Sequence, residues 1–400
     1  MKKWTKPMLL MVLAVMLAVT GEHAAWAAAE KSGIGIEVPA KNGEFVPAEA
    51  TQLWSTVSKE MAYVFDLFAD PTGSLLFSCY QTEAGETILK AVHMKDGKTA
   101  WRISLGKDYS LRRTPKKVSA NGEILLEGDK GNHMIVHAIN AQTGKITRHA
   151  TQKLPKKNTY FSWDYWITND NSLLVSYALG NQSTLRYYDQ KGRLVQTKKL
   201  SGILKHYDNG RYVLVSSTSV GRSFSTNLRI QNEQNKVLHK FNFPAEAYWN
   251  TYFFKDGSFA FELSRMNKGD EIFKLYRYSA AGKLQWQYGI NRFMPYHMSD
   301  KHVFVNDYKH RKLMQVDKGK AVTTLTHKNI DYLHRSSSKG SSFTLKTNNG
   351  YDILIATADP LSWRAKVTAP HEVDVLWLGA GRIFIFEQEA KQLSVMKMQG

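Results

Sequence analysis

Eight short apolar runs recur along the chain: "SLLF" from Ser74, "EILL" from Glu123, "SLLV" from Ser172, "YVLV" from Tyr212, "SFAF" from Ser258, "HVFV" from His302, "SFTL" from Ser342 and "RIFIF" from Arg382. Their first apolar residues, Leu75, Ile124, Leu173, Tyr212, Phe259, Val303, Phe343 and Ile383, lie 49, 49, 39, 47, 44, 40 and 40 positions apart, an average of 44. Repeats of this length, each too small to bury its own apolar face, stack into a ring or a solenoid. Every run is rich in β-branched or aromatic residues, follows a turn signal such as "PTG", "NG", "NDN" or "KDG", and is too short for a helix. Consecutive apolar residues without strict alternation suit a strand covered on both faces, as in a propeller blade held between two neighbours.

A second strand follows each run and ends in a repeated turn: "KDGK" at Lys95, "QTGK" at Gln142, "QKGR" at Gln190, "EQNK" at Glu233, "AAGK" at Ala280 and "DKGK" at Asp317. Its third residue is Gly five times and Asn once, the two residues that best accept positive φ in a tight hairpin. The cation that follows starts the outermost strand, where charge discourages edge-to-edge pairing. Trp101 and Trp286 lie just beyond this Gly, and Trp363 in "PLSWRAKV" reads as the same position in the seventh unit. A Trp at a fixed place in a structural unit is a packing wedge between blades.

The eighth unit has room for only three strands after "RIFIFEQEA", while "TQLWSTVSK" near the other end places Trp54 as "GKLQWQYG" places Trp286. The expected fold is therefore all-β: an eight-bladed propeller of four-stranded antiparallel blades, its ring closed by an N-terminal strand over residues 51–57 that completes the last blade. The propeller domain spans 51–400, and 28–50 form an extension to which the sequence assigns no role.

Apolar strand, then "TGK" or "DGK", then Trp resembles the pyrroloquinoline-quinone-type repeat of quinoprotein alcohol dehydrogenases and of a bacterial outer-membrane assembly scaffold lipoprotein. The resemblance covers nearly all of the chain beyond residue 27, although "QTGKITR" and "QKGRLVQ" lack the Trp. It implies a blade type shared by enzymes and pure scaffolds. The enzymes hold the quinone with a stacking Trp, calcium bound by Glu, Asn and Asp, and commonly a disulfide between adjacent cysteines. This chain has a single cysteine, Cys79, and no local Glu, Asn and Asp grouping that recommends itself as a calcium site. No cofactor is expected.

The first residues combine cations in "MKKWTK", the apolar stretch "PMLLMVLAVMLAV" and small residues in "AWAAAE", the pattern of a Sec-type signal peptide over residues 1–27. No cysteine sits at the cleavage site, so the expected location is secreted or cell envelope without lipid attachment, and no transmembrane span remains after cleavage. Cys79 cannot form an internal bridge, which leaves stability to packing. The formal charge is +19, and +17 once Lys2, Lys3, Lys6 and Glu22 leave with the signal.

Other catalytic signatures are missing: there is no His-Glu-x-x-His, Gly-x-Ser-x-Gly, phosphate loop or paired-cysteine zinc pattern. Two groups of residues are candidates for binding. Aromatic and His residues recur in the innermost strands, among them Trp166, Tyr207, Trp249, Tyr296, His297, Tyr332 and His334, where they would line or plug the channel. Cations gather after the outer strands of the first three blades: Lys107, Arg112, Arg113, Lys116 and Lys117, then Lys153, Lys156 and Lys157, then Lys198 and Lys199, with Tyr160 and Trp163 nearby. Equivalent connections share one face, so these would combine into a basic patch. The expected function is an exported, monomeric, non-catalytic scaffold that presents this face to a protein or an anionic envelope polymer, with no specific nucleic-acid role. The alternative is a channel-based enzyme, either a quinone-dependent oxidoreductase or a carbohydrate-active enzyme on acidic glycans. Intact-mass measurement of exported protein should give a chain that starts at Ala28.

Overall fold

The computed structural model describes residues 34–399 except 113–117, 120, 154–160, 221–222, 268–269, 291–295, 299–301, 308–309, 329, 337–341, 348–350 and 359. Its strands form eight antiparallel sheets in a ring, and all eight apolar runs fall on second strands, counted from the channel outward. Blades 1 to 7 occupy 63–106, 109–153, 161–201, 203–244, 247–290, 296–326 and 330–368. Blade 8 takes three strands from 373–398 and its outer strand, Ala50–Val57, from the other end of the chain. That strand pairs with Gln392–Met398 from Ala50↔Met398 to Val57↔Gln392 and closes the ring as the repeat pattern requires.

The core is divided among the blade interfaces. Second strands are buried on both sides: in blade 1, Leu75, Phe77 and Cys79 face blade 2, while Leu76 and Tyr80 face blade 8. Cys79 is fully buried and its thiol is pushed up to about 12 by that burial, which makes it an inert core residue.

Four interfaces are locked near the rim by a side chain from one outer strand that reaches the next blade's turn. Trp54 of blade 8 donates its indole N–H to Met94 O at 2.7 Å, and Trp101 of blade 1 donates to Ala141 O at 2.9 Å. Each ring lies on the turn glycine of the receiving blade. A Cβ on Gly97 would stand 2.6 Å from Trp54, and one on Gly144 would stand 2.6 Å from Trp101, so these glycines are needed for the ring as well as for φ near +70°. Polar residues take the wedge position elsewhere. In blade 2 it is Arg148, which reaches Asn171 O of blade 3 and the Glu123 carboxylate; in blade 4 it is His239, whose Nε2 lies 3.2 Å from Ala280 O and whose ring rests on Gly282.

Trp363 departs from the expected role. The blade 7 turn has only two residues between Ala358 and Leu361, which shifts the register, and a one-residue shift sends a side chain to the opposite face of a sheet. Trp363 therefore packs back toward Leu325 of blade 6 and Phe45, while Ala365 and Val367 face blade 8.

The extension has a structural role that the sequence did not reveal. Gly35–Pro39 pairs with the outer strand of blade 7 through Gly35↔Thr368, Ile36↔Val367 and Glu37↔Lys366, and Phe45–Pro47 pairs in turn with Gly35–Pro39. Blade 7 becomes a six-stranded sheet, Ile36 is buried between blades 7 and 8, and the Glu37 and Lys366 charges approach to 3.3 Å.

Truncation through Ala48 should lower the melting temperature by a few degrees but leave one cooperative transition, whereas truncation through Val57 opens the ring and should abolish it. Trp54→Ala should cost about 3–5 kcal/mol by calorimetry or denaturant titration, because a buried ring and its hydrogen bond are lost together.

Candidate functional site

Strand alternation gives the propeller two distinct ends. The inner-to-second turns and the third-to-outer turns, including every "DGK"-type turn, lie on one end, the turn face. The hairpins between second and third strands and the connections from one blade to the next lie on the other, the connection face.

The connection face carries the expected cations that are described. Lys107 is exposed in the blade 1 to blade 2 connection, and Lys153 ends the outer strand of blade 2, also exposed. Neither has an ion-pair partner among the described residues. Arg112 follows the inner strand of blade 2 and is paired with Asp129. Arg113, Lys116, Lys117, Lys156, Lys157 and Tyr160 lie outside the described residues. Lys198 and Lys199 sit on the outer strand of blade 3, Leu194–Ser201, and not in the connection after it. They separate in role: Lys198 turns inward to Glu233 O and the Tyr212 ring of blade 4, while Lys199 is exposed.

Exposed apolar side chains accompany these cations on the same face. Tyr63, at the start of the blade 1 inner strand, is 62% exposed, and Trp249, at the bulge of the blade 5 inner strand, is 49% exposed. Leu179 and Met266, in the second-to-third hairpins of blades 3 and 5, are also exposed. The bulge re-aims Trp249, whose N–H donates to Ser264 Oγ at 2.7 Å and whose ring packs on Phe273.

The other inner-strand aromatics do not form one lining. Trp163 is buried between blades 2 and 3, and Trp166 and Tyr207 pack between blades 3 and 4 with their centroids 6.4 Å apart. Tyr207 donates to Glu233 of the blade 4 turn at 2.9 Å, which fixes its hydroxyl at the turn face. Tyr296, His297, Tyr332 and His334 are on inner strands of blades 6 and 7, but their side chains lie outside the described set. Alternate residues of an inner strand point sideways into the two flanking interfaces, so an aromatic there serves packing unless a bulge or strand end redirects it.

A polar group that sequence reasoning missed lies in blade 5. Glu262 Oε2 accepts from the Tyr252 hydroxyl at 3.0 Å, and that oxygen accepts in turn from Asn250 Nδ2 at 3.1 Å. Burial pushes the Glu262 carboxyl up to about 7, against the lowering effect of the Tyr252 hydrogen bond. Nothing in "SFAFELS" distinguishes this Glu from a solvated one. Among the described residues no three His, Cys, Asp or Glu side chains come together as a metal-binding group.

No family model matches the chain, and no curated protein matches it in sequence. Solved structures do resemble it. The Dos1 propeller superposes with a TM-score of 0.53 at 11% identity, over 87% of this chain and 95% of that one. Hsv2 of Kluyveromyces lactis gives 0.47 at 11% identity over 78% and 99%, and a Bacteroides caccae protein of unknown function gives 0.33 at 14% identity over 65% and 94%. The likeness to the Dos1 propeller establishes the fold alone.

The Glu262 environment sets a pH dependence. Its native value lies above the 4.5 of a free side chain, so the native state binds more protons than the unfolded state between about 4.5 and about 7. Stability then falls as pH rises through that window. Glu262→Gln should raise the melting temperature at pH 8 and leave it nearly unchanged at pH 4.5, as scanning calorimetry at the two pH values will record.

Proposed function

We propose that the protein is an exported, non-catalytic propeller of the pyrroloquinoline-quinone repeat type whose connection face binds an anionic polymer of the cell envelope. The observation that carries this reading is the composition of that face: the exposed cations of Lys107 and Lys153, which have no ion-pair partner among the described residues, share it with the exposed Tyr63 and Trp249 rings. Cations supply long-range attraction to a polyanion, and exposed rings supply short-range contact once it has arrived. The net charge of +17 that remains once residues 1–27 are removed favours the same class of partner.

The repeat type is supported by the residues on which the resemblance rests, since the "DGK" and "TGK" glycines receive Trp54 and Trp101 across blade interfaces. The quinone-enzyme alternative finds less support. Cys79 is a single buried thiol, Trp163 and Trp166 are packed in blade interfaces, and the Glu262 carboxylate is buried.

Binding to an anionic wall-polymer preparation should weaken steeply with added salt, because exposed charges are screened within about 10 Å at 0.1 M. Replacing Lys107, Lys153 and Lys199 by Gln should weaken binding at low salt and flatten that dependence. Replacing Lys95, Lys191 and Lys236, which are exposed on the turn face, should leave both nearly unchanged. Co-sedimentation across a salt series measures this, and equal behaviour of the two triple variants contradicts the reading.

A further inference from the structure

Two departures from the repeat coincide between blades 5 and 6. The first is turn length. In blades 1 and 2 five residues link the third and outer strands, and the first of them, Met94 or Ala141, offers the carbonyl that receives the preceding Trp. In blade 6 only Lys318 and Gly319 link Asp317 to Lys320, with φ of 48° and 76°, a tight hairpin that lacks the receiving residue. Trp286 occupies the wedge position of blade 5 and packs against Val303 and Val316, but its N–H has no acceptor among the described residues.

The second departure is the residue directly opposite the wedge on the third strand. It is Ala91 opposite Trp101, Ala138 opposite Arg148, Ile230 opposite His239 and Val395 opposite Trp54; opposite Trp286 it is Arg277. Arg277 is 8% exposed and lies over the Phe254 ring. One Nη donates to Ser258 Oγ at 2.6 Å and stands 3.7 Å from Asp256. Its Nε and other Nη have no acceptor among the described residues, which leaves donors of a planar fork free to hold a carboxylate.

Where the seat is missing there is a cavity of about 640 Å³, within the size range of small-ligand sites. Arg277 and Trp286 form its wall, Lys283 and Lys318 add positive charge, Asp256 and Asp317 offset two of these three cations, and Ser279 and Gln285 add neutral hydrogen-bonding groups. The geometry points to a binding site on the turn face for an acidic sugar residue, its carboxylate on Arg277 and its ring against the Trp286 indole. Buried cation, indole, neutral polar groups and two carboxylates together suit a hydroxylated ring with one negative charge better than a plain aromatic acid, which has no hydroxyl groups to donate to Asp256 and Asp317 and would leave Ser279 and Gln285 unmatched. This site lies on the face opposite Lys107 and Lys153 and does not depend on the polymer-binding reading.

Isothermal titration of the signal-free chain with digalacturonic acid, and with the corresponding neutral disaccharide, tests the inference. The acidic disaccharide should bind at millimolar concentration or below, and the neutral one at least tenfold more weakly. Arg277→Ala and Trp286→Ala should each weaken binding at least tenfold. Replacing Lys318 and Gly319 by the five residues Met94 to Lys98 of blade 1 rebuilds the seat, and should abolish binding while the melting temperature holds or rises. That variant answers the question even if Arg277→Ala fails to fold. The Lys107, Lys153 and Lys199 triple variant should bind the disaccharide as the parent does. Absence of binding to the acidic disaccharide, equal binding of the neutral one, or undiminished binding by the turn-rebuilt protein each overturns the inference.

Discussion

The ring depends on one contact repeated at its rim: a side chain from an outer strand, set on the next blade's turn and hydrogen-bonded to a carbonyl there. With a single cysteine the chain has no internal cross-link, so the sideways adhesion of one sheet to the next must come from buried apolar area and a few directed bonds. A Trp suits this task, since it buries about 150–250 Å² and needs one acceptor. At ~25 cal/mol per Å² that is roughly 4–6 kcal/mol for each seated ring. The closing strand is the same device applied at the seam, because Ala50–Val57 brings Trp54 to blade 1 as it completes blade 8. Closure and wedging are therefore one event in this fold.

The contact tolerates substitution where its geometry is kept. Arg148 and His239 are polar, yet each reaches a backbone oxygen of the following blade, and His239 also lies on a turn glycine. Where geometry changes, the interface changes with it. The two-residue turn of blade 7 turns Trp363 backward onto Phe45, and the N-terminal hairpin lies beside it, with Ile36 filling the space against blade 8. The two-residue turn of blade 6 removes the receiving carbonyl, and there a groove remains, walled by Trp286 and Arg277. The same irregularity thus yields a structural strap at one interface and an open groove at another.

The blade count, the second strands and the closing strand were legible because they rest on burial, and burial writes itself as apolar runs at a fixed period. Trp54 and Trp101 were legible as wedges for the same reason. Turn length was not. "DKGK" at Asp317 reads like "KDGK" at Lys95, but the motif does not say where the preceding strand ends, and only the register shows that blade 6 has two turn residues and blade 1 has five. Arg148, His239 and Arg277 are hidden in the sequence because a polar side chain near an outer strand looks solvated until its cross-strand partner is known. The extension escaped notice because "GIEVP" is short and carries no repeat signature, and its partner strand lies more than 300 residues away. Trp166 and Tyr207 are channel candidates by strand position alone, whereas side-chain direction within the inner strand decides between interface and channel.

Hydrogen–deuterium exchange resolved to individual outer strands tests the seated-wedge account most directly, since protection there reports how firmly each blade edge is held by its neighbour. The account predicts that Ala50–Val57 and Thr99–Gly106, which carry seated Trp54 and Trp101, exchange markedly more slowly than Leu284–Ile290, whose Trp286 has no receiving carbonyl among the described residues. Equal protection of the three strands, or faster exchange in the two seated ones, would contradict it.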